Sequence, residues 1–230
     1  MTYNLLALDA STEALSIAIQ FNGQTVKHFE VCPQQHSQKV LPLVSELLDK
    51  AGCKLQDLDG IVFGRGPGSF TGVRISVAIA QGLAYGANLP LVGVSTLQAM
   101  AQQAIEEKGL DSVITGIDAR MGEIYFAHYH KSETGLAELH IEENEVVCAP
   151  ADLPESIKGI TAVGTAWEPY AEQAAELNLD VISEITLPDA AYMLKISEVE
   201  FVKGNTVQAA DAQPHYVRDT VTWKKLPGRE

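Results

Sequence analysis

Cysteine is scarce in this chain and arranged without pattern. Cys32, Cys53 and Cys148 are odd in number and far apart, with no Cys-x-x-Cys pair. That excludes a disulfide framework and a zinc knuckle, and it points to buried thiols in a reducing compartment. No apolar run approaches the roughly twenty residues of a membrane-spanning helix, and Met1-Thr2-Tyr3-Asn4 lacks the basic start of a signal peptide. The expectation is a cytoplasmic protein with no membrane partner. Positive charge is also sparse: 16 Lys/Arg stand against 30 Asp/Glu, a net charge of −14. The deficit is uneven, with 6 Lys/Arg against 7 Asp/Glu in residues 1–100 and 10 against 23 in the remainder. Such an acidic second half disfavours direct, unaided contact with a phosphate backbone. The one basic cluster, Arg218, Lys224, Lys225 and Arg229 around Trp223, reads as a solvated C-terminal segment.

The 230 residues, 46% of them hydrophobic, suffice for one large domain or two small lobes. An internal repeat favours two lobes. Leu5 to Asp9 reads as a buried strand ending in an acid, followed by alternation at Leu15, Ile17 and Ile19 and a turn at Asn22-Gly23. Val113 to Asp118 repeats the pattern, with Ile124, Phe126 and His128 alternating and a turn at Thr134-Gly135. Asp9 aligns with Asp118, Leu15 with Ile124 and Ile17 with Phe126 at one constant offset. The first half continues as helix 37–51, strand 60–63, helix 72–85 and strand 91–94. The second continues as strand 160–163 and helices 168–177 and 190–202. Strand, hairpin, third strand, helix, strand, helix, stated twice, predicts an α/β chain of two similar lobes in the order of the actin-like, sugar-kinase and heat-shock ATPase fold, a duplicated ribonuclease-H-like unit. The lobes are expected at 1–102 and 103–213, with a tail at 214–230 packing back on the first.

Between the strand at 60–63 and its helix lies Gly64-Arg65-Gly66-Pro67-Gly68-Ser69-Phe70-Thr71-Gly72-Val73-Arg74. Gly66, Gly68 and Gly72 demand a sharply turning backbone that approaches something closely, and Ser69 or Thr71 is placed to cap the helix. A phosphate loop is the first reading and fails on detail. A Walker loop ends Gly-Lys-Ser/Thr, whereas this one ends Thr71-Gly72-Val73-Arg74, and the glycine spacing is wrong for a dinucleotide fingerprint. Ser69 is not in a nucleophile elbow. His36, His128 and His130 have no chelating spacing, so no metal is expected. Asp9 with Ser11 and Thr12, and Asp118 in the second half, are candidate contacts to a nucleotide. The loop that would take its adenosine is reduced to Gly164-Thr165-Ala166-Trp167, where Trp167 would crowd a base.

Helix 37–51 carries one broad apolar stripe. Helix 72–86 is apolar all round, with small-residue ridges at Gly72-Ser76-Ala80-Ala84 and Ala78-Gly82-Gly86. A sheet covers one face of such a helix, and either the rest of the chain or a partner covers the other. Val40, Val44, Leu47, Leu48, Val73, Val77 and Ala80 are expected to line a surface where these helices meet another chain.

Four segments carry a resemblance: GRGPGSFTGVRIS at 64–76, GVSTLQAMA at 93–101, IDARMGEIYFA at 117–127 and YVRDTVTWKKLPG at 216–228. Together they resemble the bacterial TsaB family, also called YeaZ, over the whole chain. The resemblance implies a role in forming N6-threonylcarbamoyladenosine beside the anticodon of tRNAs reading codons that begin with A. It implies a catalytically degenerate relative of TsaD, the subunit that transfers the threonylcarbamoyl group. Such a chain dimerises with TsaD and is joined by the ATPase TsaE; the apolar helix face described above is expected to self-associate into a homodimer when TsaD is absent. It meets tRNA mainly through the complex and has no catalytic residues of its own. No cofactor is implied for the chain alone, and ATP or ADP with magnesium belongs to the complex. A stand-alone nucleotide-dependent phosphotransferase or hydrolase of the same fold is the alternative.

Overall fold

The computed structural model describes residues 2–140 and 144–218. The first sheet is built from β1 (Leu5–Asp9), β2 (Ala14–Phe21), β3 (Gln24–Val31), β4 (Gly60–Gly64) and β5 (Leu91–Val94), in the order β3-β2-β1-β4-β5. The first three strands are antiparallel, and β4 and β5 run parallel to β1. Three helices follow the chain here: α1 (His36–Ala51), α2 (Phe70–Ala87) and α3 (Thr96–Lys108). The second sheet contains β6 (Ser112–Arg120), β7 (Glu123–Lys131), β8 (Ala137–Leu139), β9 (Val146–Cys148), β10 (Thr161–Val163) and β11 (Asp180–Val181). Its order is β11-β10-β6-β7-β8, with β9 also on β7. With β6 standing for β1, the two sheets have the same strand order, and the architecture is the two-lobed actin-like fold.

The repeat departs from the expected one in two places. Residues 150–157 form two short 3-10 turns where the first lobe has α1, so the second lobe retains α4 (Ala171–Glu176) but no counterpart of that long helix. The constant offset also breaks inside the hairpin. Arg120 faces Glu123 at the turn, but a bulge between Asp118 and Arg120 shifts the remainder by one residue. Asp118 therefore faces Ile124, whereas Asp9 faces Ser16.

The lobes exchange helices. Leu97, Met100, Ala101, Ala104 and Ile105 of α3 join the core of the second sheet. Helix α5 (Ala191–Lys203), although late in the chain, packs Met193, Leu194, Ile196 and Phe201 onto the first sheet. Asp189 fixes its start, accepting from Ser16 Oγ at 3.3 Å and pairing with Lys27 at 2.7 Å. The Tyr192 hydroxyl donates to Glu107, tying α5 to α3.

Helices α1 and α2 both lie on the other face of the first sheet, and this corrects the expected partner surface. Val40, Val44, Leu47, Val73, Val77 and Ala80 are buried in the chain's own core, and Leu48 is half-buried against it. Their apolar stripe is the stripe that covers the sheet. Nor is α2 buried on all sides. Gly72, Ser76, Ala80 and Ala84 face inward, while Arg74, Ala78, Gly82, Tyr85 and Gly86 are exposed. The inner ridge sets the approach of α2 to β1: a Cβ on Gly72 would lie 2.3 Å from the Ala10 carbonyl, and Ser76 Oγ reaches the Leu8 carbonyl at 3.5 Å. Helix α1 starts at His36, so Pro42 lies in its second turn, on the exposed side.

The two ridges of α2 should respond oppositely to substitution. Ala80, with no exposed surface, has no room for a charge, and Ala80→Glu is expected to cost more than about 3 kcal/mol in urea unfolding. Gly82 has open space around its α-carbon, and Gly82→Ala should stabilise by about 0.5–1 kcal/mol through helix propensity. Equal midpoints for the two variants would contradict this orientation of α2.

Candidate functional site

The glycine-rich segment after β4 is wrapped onto the corner where β1 ends. A Cβ on Gly64 would lie 1.7 Å from Asp9 Oδ2, and one on Gly68 would lie 2.3 Å from the Ser11 carbonyl. Gly72 stands against Ala10, as described above, so three of the glycines mark three close approaches to residues 9–11. Several of the loop's donors are used within the chain. The Ser69 amide donates to the Ser11 carbonyl at 2.7 Å, and Ser69 Oγ caps α2 by accepting from the Gly72 amide at 3.0 Å. Gly66 adopts φ +96°, and Thr71 is exposed on the first turn of α2.

Inside this wrapping Asp9 is fully buried. Its Oδ1 accepts from the Ser11 amide at 2.9 Å and from Ser11 Oγ at 2.8 Å. Its Oδ2 has no hydrogen-bond partner among the described residues. Burial pushes the carboxyl up to about 6, against the opposing pull of the two Ser11 bonds. Ser11 Oγ also lies 3.0 Å from Thr96 Oγ1 at the start of α3, and Thr12 Oγ1 accepts from the Ala14 amide at 3.3 Å.

The second corner is built differently. Asp118 accepts from the Arg120 amide at 2.9 Å and from Arg120 Nη1 at 3.0 Å. Arg120 Nη2 then reaches Glu13 Oε1 at 3.1 Å, an ion pair that joins the two strand-end corners. Arg120, Met121 and Gly122 turn the chain at φ +62°, +61° and +82°. Sequence reasoning missed Glu13 and Arg120, yet the repeat contained a signal: Arg120 stands at the position aligned with Ser11, a long cation in place of a small hydroxyl.

These residues do not fit a nucleotide with magnesium. The free oxygen of Asp9 is pressed against Gly64, the Ser69 and Gly72 amides are spent on Ser11 and Ser69, and Glu13 holds the cation of the opposite corner. Asp9, Ser11 and Thr12 share one corner, and Asp118 belongs to the other. Trp167 does not crowd a base, which corrects the expectation. Its indole is buried in the second lobe against Gly116 and donates to the Val163 carbonyl at 2.9 Å. Among the described residues no cluster of three or more His, Cys, Asp or Glu suits a metal. His36 bonds the Ala14 carbonyl at 3.1 Å, and His128 bonds Ser112 Oγ at 2.7 Å and stacks on His140.

The remaining feature is the outer face of α2. Tyr85 is 84% exposed at its last turn and Phe70 is exposed at its first, with Ala78, Gly82 and Gly86 between them. The Arg74 guanidinium stacks 3.7 Å over the Phe70 ring and donates from Nε to the Tyr216 hydroxyl at 2.9 Å. Of the basic tail, Arg218 is described, donating to the Ala119 carbonyl and to Glu123. Trp223, Lys224, Lys225 and Arg229 lie outside the described residues.

Comparison with known proteins bears on this arrangement. A family model described as "TsaD: tRNA N6-adenosine threonylcarbamoyltransferase" matches residues 28–217. A protein of Escherichia coli (strain K12) named tRNA threonylcarbamoyladenosine biosynthesis protein TsaB is 45% identical, over 98% of this chain and 99% of its own. Its namesake in Haemophilus influenzae is 43% identical over 98% of each chain. A solved structure titled "YeaZ from Pseudomonas aeruginosa" superposes with a TM-score of 0.83 at 38% identity, over 94% of this chain and 100% of that one. No helix of the described residues is long and apolar enough to cross a membrane.

The sealed carboxyl of Asp9 has a pH signature. Its folded value of about 6 lies above the ordinary 3.8, so the folded state keeps a proton that the unfolded chain has lost. Stability should therefore fall as pH rises from about 4 to about 6 and stay reduced above that, by on the order of 3 kcal/mol. Asp9→Asn should remove this loss and raise the unfolding midpoint at pH 7.5. Denaturation curves across this pH range with the same slope in both proteins would contradict the assignment.

Proposed function

The chain belongs to the TsaB family of tRNA threonylcarbamoyladenosine biosynthesis proteins, and from that premise we propose that it is a non-catalytic partner subunit in the formation of N6-threonylcarbamoyladenosine. In this reading it acts in the cytoplasm, binds TsaD, and supports the recruitment of TsaE. The modified base lies next to the anticodon of tRNAs reading codons that begin with A, and TsaD carries the transfer.

The observation that carries the reading is the contrast between the two surfaces. The corner where this fold would meet phosphate is covered by its own loop, and Asp9 is buried inside it. The outer face of α2, by contrast, is flat, small and open, with aromatic rings at both ends. Small residues let a second helix approach closely, and exposed Tyr85 and Phe70 are of the type that anchors interfaces. The match of residues 28–217 to the TsaD model supports a partner of the same architecture. Docking runs along Arg74, Ala78, Gly82 and Tyr85. The same face serves self-association when TsaD is absent. The acidic second half leaves tRNA contact mainly to the partners.

Two experiments test this. Gly82→Glu places a carboxylate where there is open space, so the fold should melt close to wild type, within about 1 kcal/mol. Its affinity for TsaD in calorimetric titration should drop by at least about thirtyfold. Unchanged affinity would put the interface elsewhere. The purified chain alone should neither hydrolyse ATP nor modify tRNA. Magnesium-dependent turnover by the chain alone, lost in Asp9→Ala, would return the reading to a stand-alone phosphotransferase or hydrolase.

A further inference from the structure

Residues 205–218 run from one lobe to the other as a strap. Val207 bridges Leu91 at the outer edge of β5, and Ala212 is buried in the first core, its carbonyl accepting from Gln81 of α2 at 3.0 Å. The His215 amide then donates to the Arg65 carbonyl of the glycine-rich loop at 2.8 Å. Tyr216 lies against Phe70, ring centroids 5.9 Å apart, and takes the hydrogen bond from Arg74. Two residues later Arg218 grips the second lobe. It donates to the Ala119 carbonyl and to Glu123, with its guanidinium 5.8 Å from the Tyr125 ring centre. Ala119 is the residue of the β6 bulge that sets Asp118 and Arg120 at the second corner.

We propose that this strap is a latch that couples the outer face of α2 to the second corner: a chain docked on α2 displaces Tyr216, withdraws Arg218 from Ala119 and Glu123, and loosens the corner that carries the Arg120–Glu13 ion pair. It rests on α2 being the docking face, as proposed above, and supplies the regulation of that face.

Three observations carry it. The first is a groove of about 260 Å³ between α2 and the strap. Arg74, Val77, Ala78 and Gln81 line one side, and Ala212, Gln213, Pro214 and Tyr216 line the other. Arg74 and Ala78 belong to the docking face, so a side chain set down there enters the groove and bears on the strap. The second is the division of the strap into a fixed part and a lighter one. Ala212 is core, whereas Gln213, His215 and Tyr216 are exposed. The third is reach. A single residue, Val217, separates Tyr216 from Arg218, so their α-carbons are at most about 7 Å apart and a shift of one is felt by the other. The hydrogen bonds that Arg218 gives up at the far end are charge-assisted, and breaking them is felt at the bulge. Coupling of this kind is reciprocal, so loosening the corner also changes the affinity of the α2 face.

Hydrogen–deuterium exchange on the full chain, alone and with TsaD, tests the latch. In the free chain, Arg218→Gln and Tyr216→Ala should each speed exchange of the 119–124 amides by about tenfold. TsaD should protect residues 74–86 and speed 119–124 in wild type, and add nothing further at 119–124 in Arg218→Gln. Protection of 74–86 with 119–124 unchanged overturns the latch and leaves the docking reading standing. Absence of protection at 74–86 removes the docking reading instead. The free-chain comparison of Tyr216→Ala with wild type then decides the coupling, and an unchanged 119–124 rate overturns it.

Discussion

The close approach of a glycine-bearing backbone to residues 9–11 is the constraint on which the rest of the structure depends. Gly64, Gly68 and Gly72 let β4, the loop and the start of α2 press onto the end of β1 without side chains between them. That contact fixes how deeply α2 sits on the sheet, which of its ridges turns inward, and where the strap crosses it. It also determines the chemistry of the corner. A carboxylate packed against a backbone carbon, with one oxygen unpartnered and its affinity for a proton raised, is a poor ligand for a hydrated cation and a good plug.

The same constraint separates surfaces that one fold would otherwise share. In a chain of two similar lobes, the strand-end corners face one another and are the natural place for a ligand. Here the first corner is filled from behind by its loop, and the second is bound to it by Arg120 and Glu13. The lobes are further tied by the exchange of α3 and α5, each packed on the sheet of the other half. Among the described residues the outer side of α2 stays open, and it is the face on which the proposed partner would dock.

Much of this was legible in the sequence. Alternation at Leu15, Ile17 and Ile19 and at Ile124 and Phe126 located the hairpins, and the paired Asp9 and Asp118 revealed the duplication. The spacing of Gly66, Gly68 and Gly72 announced a close approach, although not its object, because the Ser11 and Ala10 carbonyls come from a distant part of the chain. Periodicity misled at α1 and α2. Val40, Val44, Val73 and Val77 form a strong apolar stripe, and a stripe shows which residues are buried without showing by what. The ridge Ala78-Gly82-Gly86 was visible as a run of small residues, but nothing in its spacing showed that it, and not Gly72-Ser76-Ala80-Ala84, is the one left exposed. The partners of Glu13, Arg120 and Arg218 were hidden for a plainer reason: they are set by the bulge at Ala119 and by the path of residues 205–218, neither of which follows from spacing.

The most direct test of a subunit that supports a reaction without performing it is the rate of threonylcarbamoyladenosine formation by TsaD and TsaE supplied with Asp9→Asn in place of the wild-type chain. The substitution keeps the shape of the sealed corner and removes its charge. The account predicts a modification rate within about twofold of wild type at saturating subunit concentration. A rate that collapses while the complex with TsaD still forms with unchanged affinity would contradict it, and would place Asp9 in the chemistry.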